Sequence, residues 1–153
     1  MPEIRFARRE DVPRLLEFLG QAGPVDERVQ RIYPHFMLLE QDGAIQATIG
    51  CEQAGSVGLL RSMILSPSVD KGMLLQLLEI YLQQMQERGV TCMYLITTMP
   101  DALPLFRLFG FQAADTDEIP PQLAEIPHFQ AGMKQPGASL LNCQLSTELP
   151  TDS

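Results

Sequence analysis

The sequence predicts an α/β fold of the mixed-sheet, α+β kind, in which antiparallel strands precede a central parallel βαβ unit. Three observations predict it. Residues 58–96 read as strand, short loop, long helix and strand. Asp42-Gly43 sits between two apolar-patterned runs, the strong signal for a tight hairpin. From Gly72 the apolar period becomes helical, so the topology changes with it.

Each element follows from local chemistry. Glu3 to Ala7 is a short first strand. Glu10 to Leu19 is a helix: Glu10 and Asp11 favour its start, Pro13 fits its first turn, and Leu15, Leu16, Phe18 and Leu19 supply its apolar face. Gly20 to Pro24 breaks it, and Val25 to Tyr33 reads as a second short helix. Phe36 to Glu40 is a strand, Gln41-Asp42-Gly43 the turn, and Ala44 to Glu52 the partner strand. In that partner Ile45, Ala47, Ile49 and Cys51 alternate with Gln46, Thr48, Gly50 and Glu52. After a turn at Ala54 to Val57, Gly58 to Leu65 is apolar except for Arg61 and Ser62.

Ser66-Pro67-Ser68 stops that strand, because proline cannot donate to a ladder. Leu74, Leu77, Leu78, Tyr81 and Met85 then make one helical stripe, which Arg88-Gly89 ends. Cys92 to Ile96 is a continuously apolar strand, suited to cover on both faces. A helix from about Asp101 to Phe109 ends at Gly110, and Phe111 opens a short strand. Ile119 to Glu125 offers one helical turn, and Pro127 to Gly137 reads as a Pro- and Gly-containing loop. Ala138 to Leu145 is a last strand paired with the one at Phe111. The organisation expected is one domain over residues 1–146 and a polar tail over 147–153.

Composition narrows the function. The 153 residues suffice for a core, and 45% hydrophobic with 20% charged is ordinary for a globular chain. A net charge of −8 argues against a nucleic-acid partner. Cys51, Cys92 and Cys143 are odd in number and widely spaced, so they read as free thiols in a reducing compartment. No CxxC pair or His–Cys cluster points to a metal. No apolar run approaches membrane-spanning length, and the opening MPEIRFARRED has no apolar signal segment. A cytoplasmic location without membrane partners is the expectation.

A family resemblance rests on five stretches. Met63-Ile64-Leu65, Pro67 and Val69-Asp70-Lys71-Gly72-Met73-Leu74 lead into Glu87-Arg88-Gly89-Val90 and then Tyr94-Leu95. Leu105-Phe106-Arg107-Leu108-Phe109-Gly110-Phe111 follows, and Ile4 to Pro13 opens the chain. Together these resemble the GCN5-related N-acetyltransferases, the GNAT superfamily, over nearly the whole chain. Gly58-Leu59-Leu60-Arg61-Ser62 and Pro136-Gly137-Ala138-Ser139 look most like the small acetyltransferases linked to arsenic resistance; the acetyltransferase domain of N-acetylglutamate synthase is a looser likeness. The resemblance implies acetyl-CoA as co-substrate and a small amine acceptor; no metal is expected, and a homodimer is among the expected assemblies. It departs at the phosphate loop: Val69 stands for the family's Arg or Gln, and Leu74 for its last Gly or Ala. Asp70 adds a negative charge there, although as a residue it reads first as a helix N-cap.

Acetyl transfer needs a thioester held still, a hydrogen-bond donor for its carbonyl oxygen, and an amine that loses a proton. By the resemblance, backbone groups of Met63 and Leu65 pair with the pantetheine arm, and an N–H near Ile64 or Leu65 faces the oxyanion. The N–H groups of Lys71, Gly72, Met73 and Leu74 hold the pyrophosphate. The family's late-helix tyrosine, a general acid, has Leu105 and Phe106 as its equivalents; neither donates a proton, and Phe106 is counted with the cofactor residues. Tyr94 is the substitute, against a reading as a core tyrosine. For the base the candidates are Glu52, Glu40 and His35, with Glu52 also readable as a solvated strand carboxylate. His128 reads as structural. Arg61 and Ser62 interrupt an apolar strand, and a buried arginine needs a partner. Arg61 therefore meets either an acceptor carboxylate or an acidic neighbour such as Glu52. The opposed expectation to an enzyme is a GNAT-fold module that has lost catalysis and binds a ligand or protein.

Overall fold

The structure, a computed structural model, describes residues 2–23 and 27–145. Its strands are β1 (Glu3–Phe6), β2 (Met37–Gln41), β3 (Ala44–Ala54), β4 (Val57–Leu65), β5 (Cys92–Thr97), β6 (Gln112–Ala113) and β7 (Ser139–Gln144). They form a seven-stranded sheet in the order β1-β2-β3-β4-β5-β7-β6. β1·β2, β2·β3, β5·β7 and β6·β7 are antiparallel, and β4·β5 is parallel. The mixed sheet anticipated from the sequence is therefore present. The helices are α1 (Val12–Gly20), α2 (Val29–Ile32), α3 (Lys71–Glu87), α4 (Leu103–Leu108), α5 (Pro121–Ala124) and α6 (Pro127–Met133). The chain divides into two compact units, Met1–Glu52 with Arg61–Tyr81, and Gln53–Leu60 with Leu82–Ser153.

In the first unit Leu15 and Leu19, four apart on α1, bury against Ala7, Val29, Phe36 and Leu38. Pro24 and Val25, expected to end one helix and begin the next, lie outside the described residues. The β2–β3 turn is closed by Asp42 at φ +56° and Gly43 at φ +79°. Two consecutive left-handed residues suit a twisted hairpin, which explains the Asp-Gly pair. Four charges join β1, β2 and α1. Arg5 pairs with Asp11 at 2.7 Å and with Glu40 at 2.9 Å; Arg14 pairs with the same two carboxylates at 2.8 and 2.7 Å. The hydrogen bond from Arg5 is the largest influence holding the buried Asp11 carboxyl far below the usual carboxylate range.

β3 departs from the alternation expected of it. Ala47 to Glu52 are all buried, polar and apolar alike. A strand between two others, covered on both faces, loses the period-two contrast of a half-exposed one. Glu52 is thus only 3% exposed and is not the solvated carboxylate that its alternation suggested.

In the second unit Val57, Gly58 and Leu59 pair in parallel with Cys92, Met93 and Tyr94. A Cβ at Gly58 would come within 2.9 Å of the Met93 sulfur, so the strands require glycine there. Val57, Leu59, Tyr94, Leu123, Ile126, Phe129 and Leu140 form its core. The Pro127–Gly137 stretch is helical over Pro127–Met133 rather than a loop. Pro127 is suited to a first helical position, and Phe129 buries into the core. The short strand begins at Gln112, paired with Asn142, while Phe111 packs beneath it against Phe106 with ring centroids 5.8 Å apart.

Candidate functional site

The charged residues read as odd in the sequence meet in the first unit. Arg61 Nη1 lies 3.2 Å from Glu52 Oε2, with side chains 5% and 4% exposed. Arg28, just before α2, reaches the other oxygen, Glu52 Oε1, at 2.5 Å. Of the two alternatives for Arg61, the ion pair with Glu52 is present. Nothing in the sequence singles out Arg28: an arginine in a short helix that also carries Arg31 reads as a solvated charge.

The backbone explains how Arg61 and Ser62 come together. Successive strand side chains point to opposite faces. Here Arg61 Nε donates to Ser62 Oγ at 3.3 Å. Ser62 has φ +55° inside β4, a left-handed conformation that re-aims a strand side chain. Its carbonyl accepts from Thr48 Oγ1 at 2.9 Å, which fixes the kink to β3. Serine gave no sign of this, since glycine is the residue that announces positive φ.

Beyond Ser62 the strand carries the cofactor candidates. Met63 and Ile64 are half-buried and Leu65 is 37% exposed. Ile64 packs into the core of the unit. A groove of about 400 Å³ runs beside the strand end, lined by Phe18, Ile45, Gln46, Ile64, Leu65 and Ser66 among others. The loop that follows is pinned to β3. Ser66 N donates to Gln46 O at 2.7 Å, Ser68 Oγ to Gln46 Oε1 at 2.9 Å, and Val69 N to Ser66 O at 3.0 Å. Asp70 caps α3: its Oδ1 accepts from Met73 N at 2.8 Å, and its carbonyl accepts from Leu74 N at 3.1 Å. Two of the four N–H groups assigned to a pyrophosphate are therefore engaged within the chain. Lys71 and Gly72 are exposed at the first turn, and a Cβ on Gly72 would meet only Asp70 Oδ1, at 3.4 Å.

The other base candidates are placed differently. Glu40 is held by Arg5 and Arg14. His35 is half-buried, and its carbonyl accepts from Tyr81 Oη at 2.6 Å. His128 lies on α6 in the second unit. Tyr94, also in the second unit, is 7% exposed within the core. Burial, then the neighbouring Cys92, raises its hydroxyl above the ordinary tyrosine value, opposed by a hydrogen bond with Asn142. Burial raises the Cys92 thiol as well, opposed by a hydrogen bond with Tyr94. Phe106 is buried on α4. Among the described residues no group of three or more His, Cys, Asp or Glu side chains forms a metal site. Among them, no helix is long and apolar enough to cross a membrane.

Antiparallel strands, then a parallel βαβ unit, then an antiparallel return place the chain in the GNAT fold class, and solved structures agree. It is similar to N-acetylglutamate synthase from Neisseria gonorrhoeae complexed with coenzyme A and N-acetyl-glutamate, at 20% identity and a TM-score of 0.76. That similarity covers 95% of this chain but 35% of the synthase, so the chain spans about a third of that enzyme. It is also similar to an acetyltransferase of the GNAT family from Staphylococcus aureus Mu50, at 15% identity and a TM-score of 0.68, over 95% of this chain and 100% of that one. In sequence it is 26% identical over 141 residues to YwlB of Bacillus subtilis (strain 168), an uncharacterized protein, covering 91% of this chain and 95% of that relative. No protein-family model matches.

Proposed function

We propose that this chain is an acetyl-CoA-dependent N-acetyltransferase that acts on a small amine or amino-acid-like acceptor by direct transfer. One observation carries the reading: its backbone follows, over 95% of its length, that of an enzyme complexed with coenzyme A and an N-acetylated amino acid. In this reading the acceptor nitrogen attacks the thioester carbonyl carbon. The N–C bond forms, the C–S bond breaks, the amine proton passes to a base, and the coenzyme leaves as a thiolate that takes up a proton. Backbone groups of Met63 and Leu65 hold the pantetheine arm, and an N–H near Ile64 or Leu65 faces the oxyanion. Lys71 and Gly72 at the start of α3 offer the pyrophosphate its N–H groups and a positive helix end. Arg61 and Ser62 are assigned by the resemblance to the acceptor carboxylate, and Phe106 to the cofactor. Glu52 as base and Tyr94 as acid are proposed roles, each tested separately by the pH–rate profile of Glu52→Gln and of Tyr94→Phe.

A thermal-shift titration with acetyl-CoA, confirmed by calorimetry, tests the reading. A ligand at 100 times its Kd stabilises the native state by about 2.7 kcal/mol. For a chain of this size that raises Tm by roughly 5–10 °C. The expected outcome is a saturable shift that Gly72→Glu abolishes. A Cβ at Gly72 makes only an ordinary contact, 3.4 Å from Asp70 Oδ1, so an unchanged melting temperature of the ligand-free variant would assign that loss to charge rather than misfolding. Amino-acid acceptors are then screened by thiol release. No shift at millimolar acetyl-CoA overturns the reading and leaves a GNAT-fold module that binds another ligand or a protein.

A further inference from the structure

In the second unit, segment 99–108 carries apolar side chains on two opposite sides. It enters a short 3-10 helix (Pro100–Ala102) and continues into α4. On one side Leu103 is half-buried and Phe106 is buried, and Phe106 packs against Phe111. On the other side Pro100, Asp101, Pro104, Arg107 and Leu108 recur at helical spacing, and all five are exposed. Leu108 is 71% exposed and Met99 is 65% exposed, the highest values for large apolar side chains among the described residues. Scattered exposed apolar residues need no explanation. A helix that is apolar on its outer face as well as its inner one does, because such a helix is normally covered on both. The outer face is held in place from below. Met99 N donates to Thr97 Oγ1 at 3.0 Å, and Ala102 N donates to Met99 O at 3.0 Å.

The spacing on the outer face is symmetric about Pro104. Pro100 and Leu108 stand four positions to either side of it, and Asp101 and Arg107 stand three. A two-fold interface needs this self-complementarity: where one residue meets a second, the second meets the first. With a second copy laid antiparallel over Pro104, each Asp101 faces an Arg107 and each Pro100 faces a Leu108. Among the described residues neither Asp101 nor Arg107 has an ion pair within its own chain. We infer that α4 and the turn before it form a docking face for a second copy of this chain, closed by reciprocal Asp101–Arg107 pairs around Pro104 and Leu108. The inference is independent of the acetyl-transfer reading. The face is short: Asp101 and Arg107 are about 9 Å apart along a helix axis. It is therefore smaller than a permanent interface, and the dimer is weak, with a Kd on the order of 10–100 µM.

Sedimentation velocity on the full chain, from about 5 to 500 µM, spans an association of that strength. The parent is expected to pass from monomer to dimer across the range. Leu108→Glu puts a carboxylate into the apolar centre and is expected to stay monomeric throughout. Leu108 is exposed in the single chain, so this variant should melt near the parent temperature. Two charge reversals give the decisive comparison. Asp101→Arg sets like charges opposite each other at both pairs, and so does Arg107→Asp. Each is expected to self-associate roughly tenfold more weakly than the parent, or worse. Mixed in equal amounts, the two variants again bring arginine against aspartate at both pairs, and association should return to near the parent value. Charges that served only the fold of their own chain would give no recovery on mixing. A parent that is monomeric across the range overturns the inference. A dimer that Leu108→Glu leaves intact overturns it as well and places the contact between copies elsewhere. Single reversals that associate as the parent does, or a mixture that recovers nothing, overturn the reciprocal pairing and with it the second copy as the occupant of this face.

Discussion

Ser62 shows most directly how one residue sets the geometry of this chain. Its φ of +55° is a conformation that costs a non-glycine residue about 1–2 kcal/mol. The Thr48 hydroxyl on its carbonyl and its own hydroxyl on Arg61 offset part of that. Glycine at this position removes the strain and the hydroxyl together, so Ser62→Gly should stay within about 1 kcal/mol of the parent. Valine, β-branched and poorly suited to positive φ, should lose at least about 2 kcal/mol more. Urea unfolding of the two variants checks this; equal midpoints would show that the kink is not retained in solution. Arg61 and Ser62 were legible as a pair, because two polar residues broke an apolar run. The left-handed backbone that joins them was not, since serine carries no signal for it. Nor was Arg28, whose partner lies 24 positions further along the chain and is reached only through the fold.

The helix α3 and the loop before it were read with their boundaries nearly in place. Gly89 at φ +98° terminates the helix as its sequence position suggested, and Asp70 caps the start. On residue type the loop departs from the family pattern at Val69 and Leu74. The backbone adds what type could not: Asp70 takes the Met73 N–H, and its charge stands beside the first-turn donors of Lys71 and Gly72. In the proposed reading the carboxylate occupies a donor that a diphosphate would use, and it would also repel that diphosphate. A unit charge pair at about 4 Å is worth on the order of 1 kcal/mol in water. Asp70→Asn keeps a good cap and removes the charge, so acetyl-CoA should bind several-fold more tightly with Tm nearly unchanged. Asp70→Ala also loses the cap, at about 1 kcal/mol of stability. Calorimetry with both variants separates the two effects, and an unchanged Kd in Asp70→Asn would show that no phosphate comes near this helix end. By contrast, α6 forms where the sequence suggests a loop. Pro127 and Gly132 suggested irregular backbone, yet the first sits where helices accept proline and the second lies close to Ile96.

Across the whole chain, the order of strands and helices was legible because the apolar period changes where the topology changes. The buried charges were not, because they depend on contacts between distant segments. Those charges should govern how stability varies with pH at its acid end. Asp11 carries a carboxyl lowered far below its ordinary value of 3.8, chiefly by the Arg5 hydrogen bond. A depressed folded-state value means that its contribution is present above about pH 4 and is lost as pH falls through the acid range. Arg5 and Glu40 belong to the same network, so the loss loosens β1, β2 and α1 in the first unit. Asp11→Asn leaves a buried network short of an anion, which should cost about 3 kcal/mol near neutral pH and flatten the acid limb. The alkaline end belongs to the second unit. Burial raises Cys92 and Cys143 above 9.0, and it raises Tyr94 above 10.0. A raised folded-state value means that stability is full below the unfolded value and is lost as pH rises past it, so the loss begins near pH 9. Tyr94→Phe and Cys143→Ser should each blunt that limb and leave the acid one alone. Urea midpoints from pH 3 to 10.5, with hydrogen exchange to show which strands open, test both limbs. A single variant that moved both limbs, or exchange that opened β5 and β7 first in acid, would overturn this assignment of one limb to each unit.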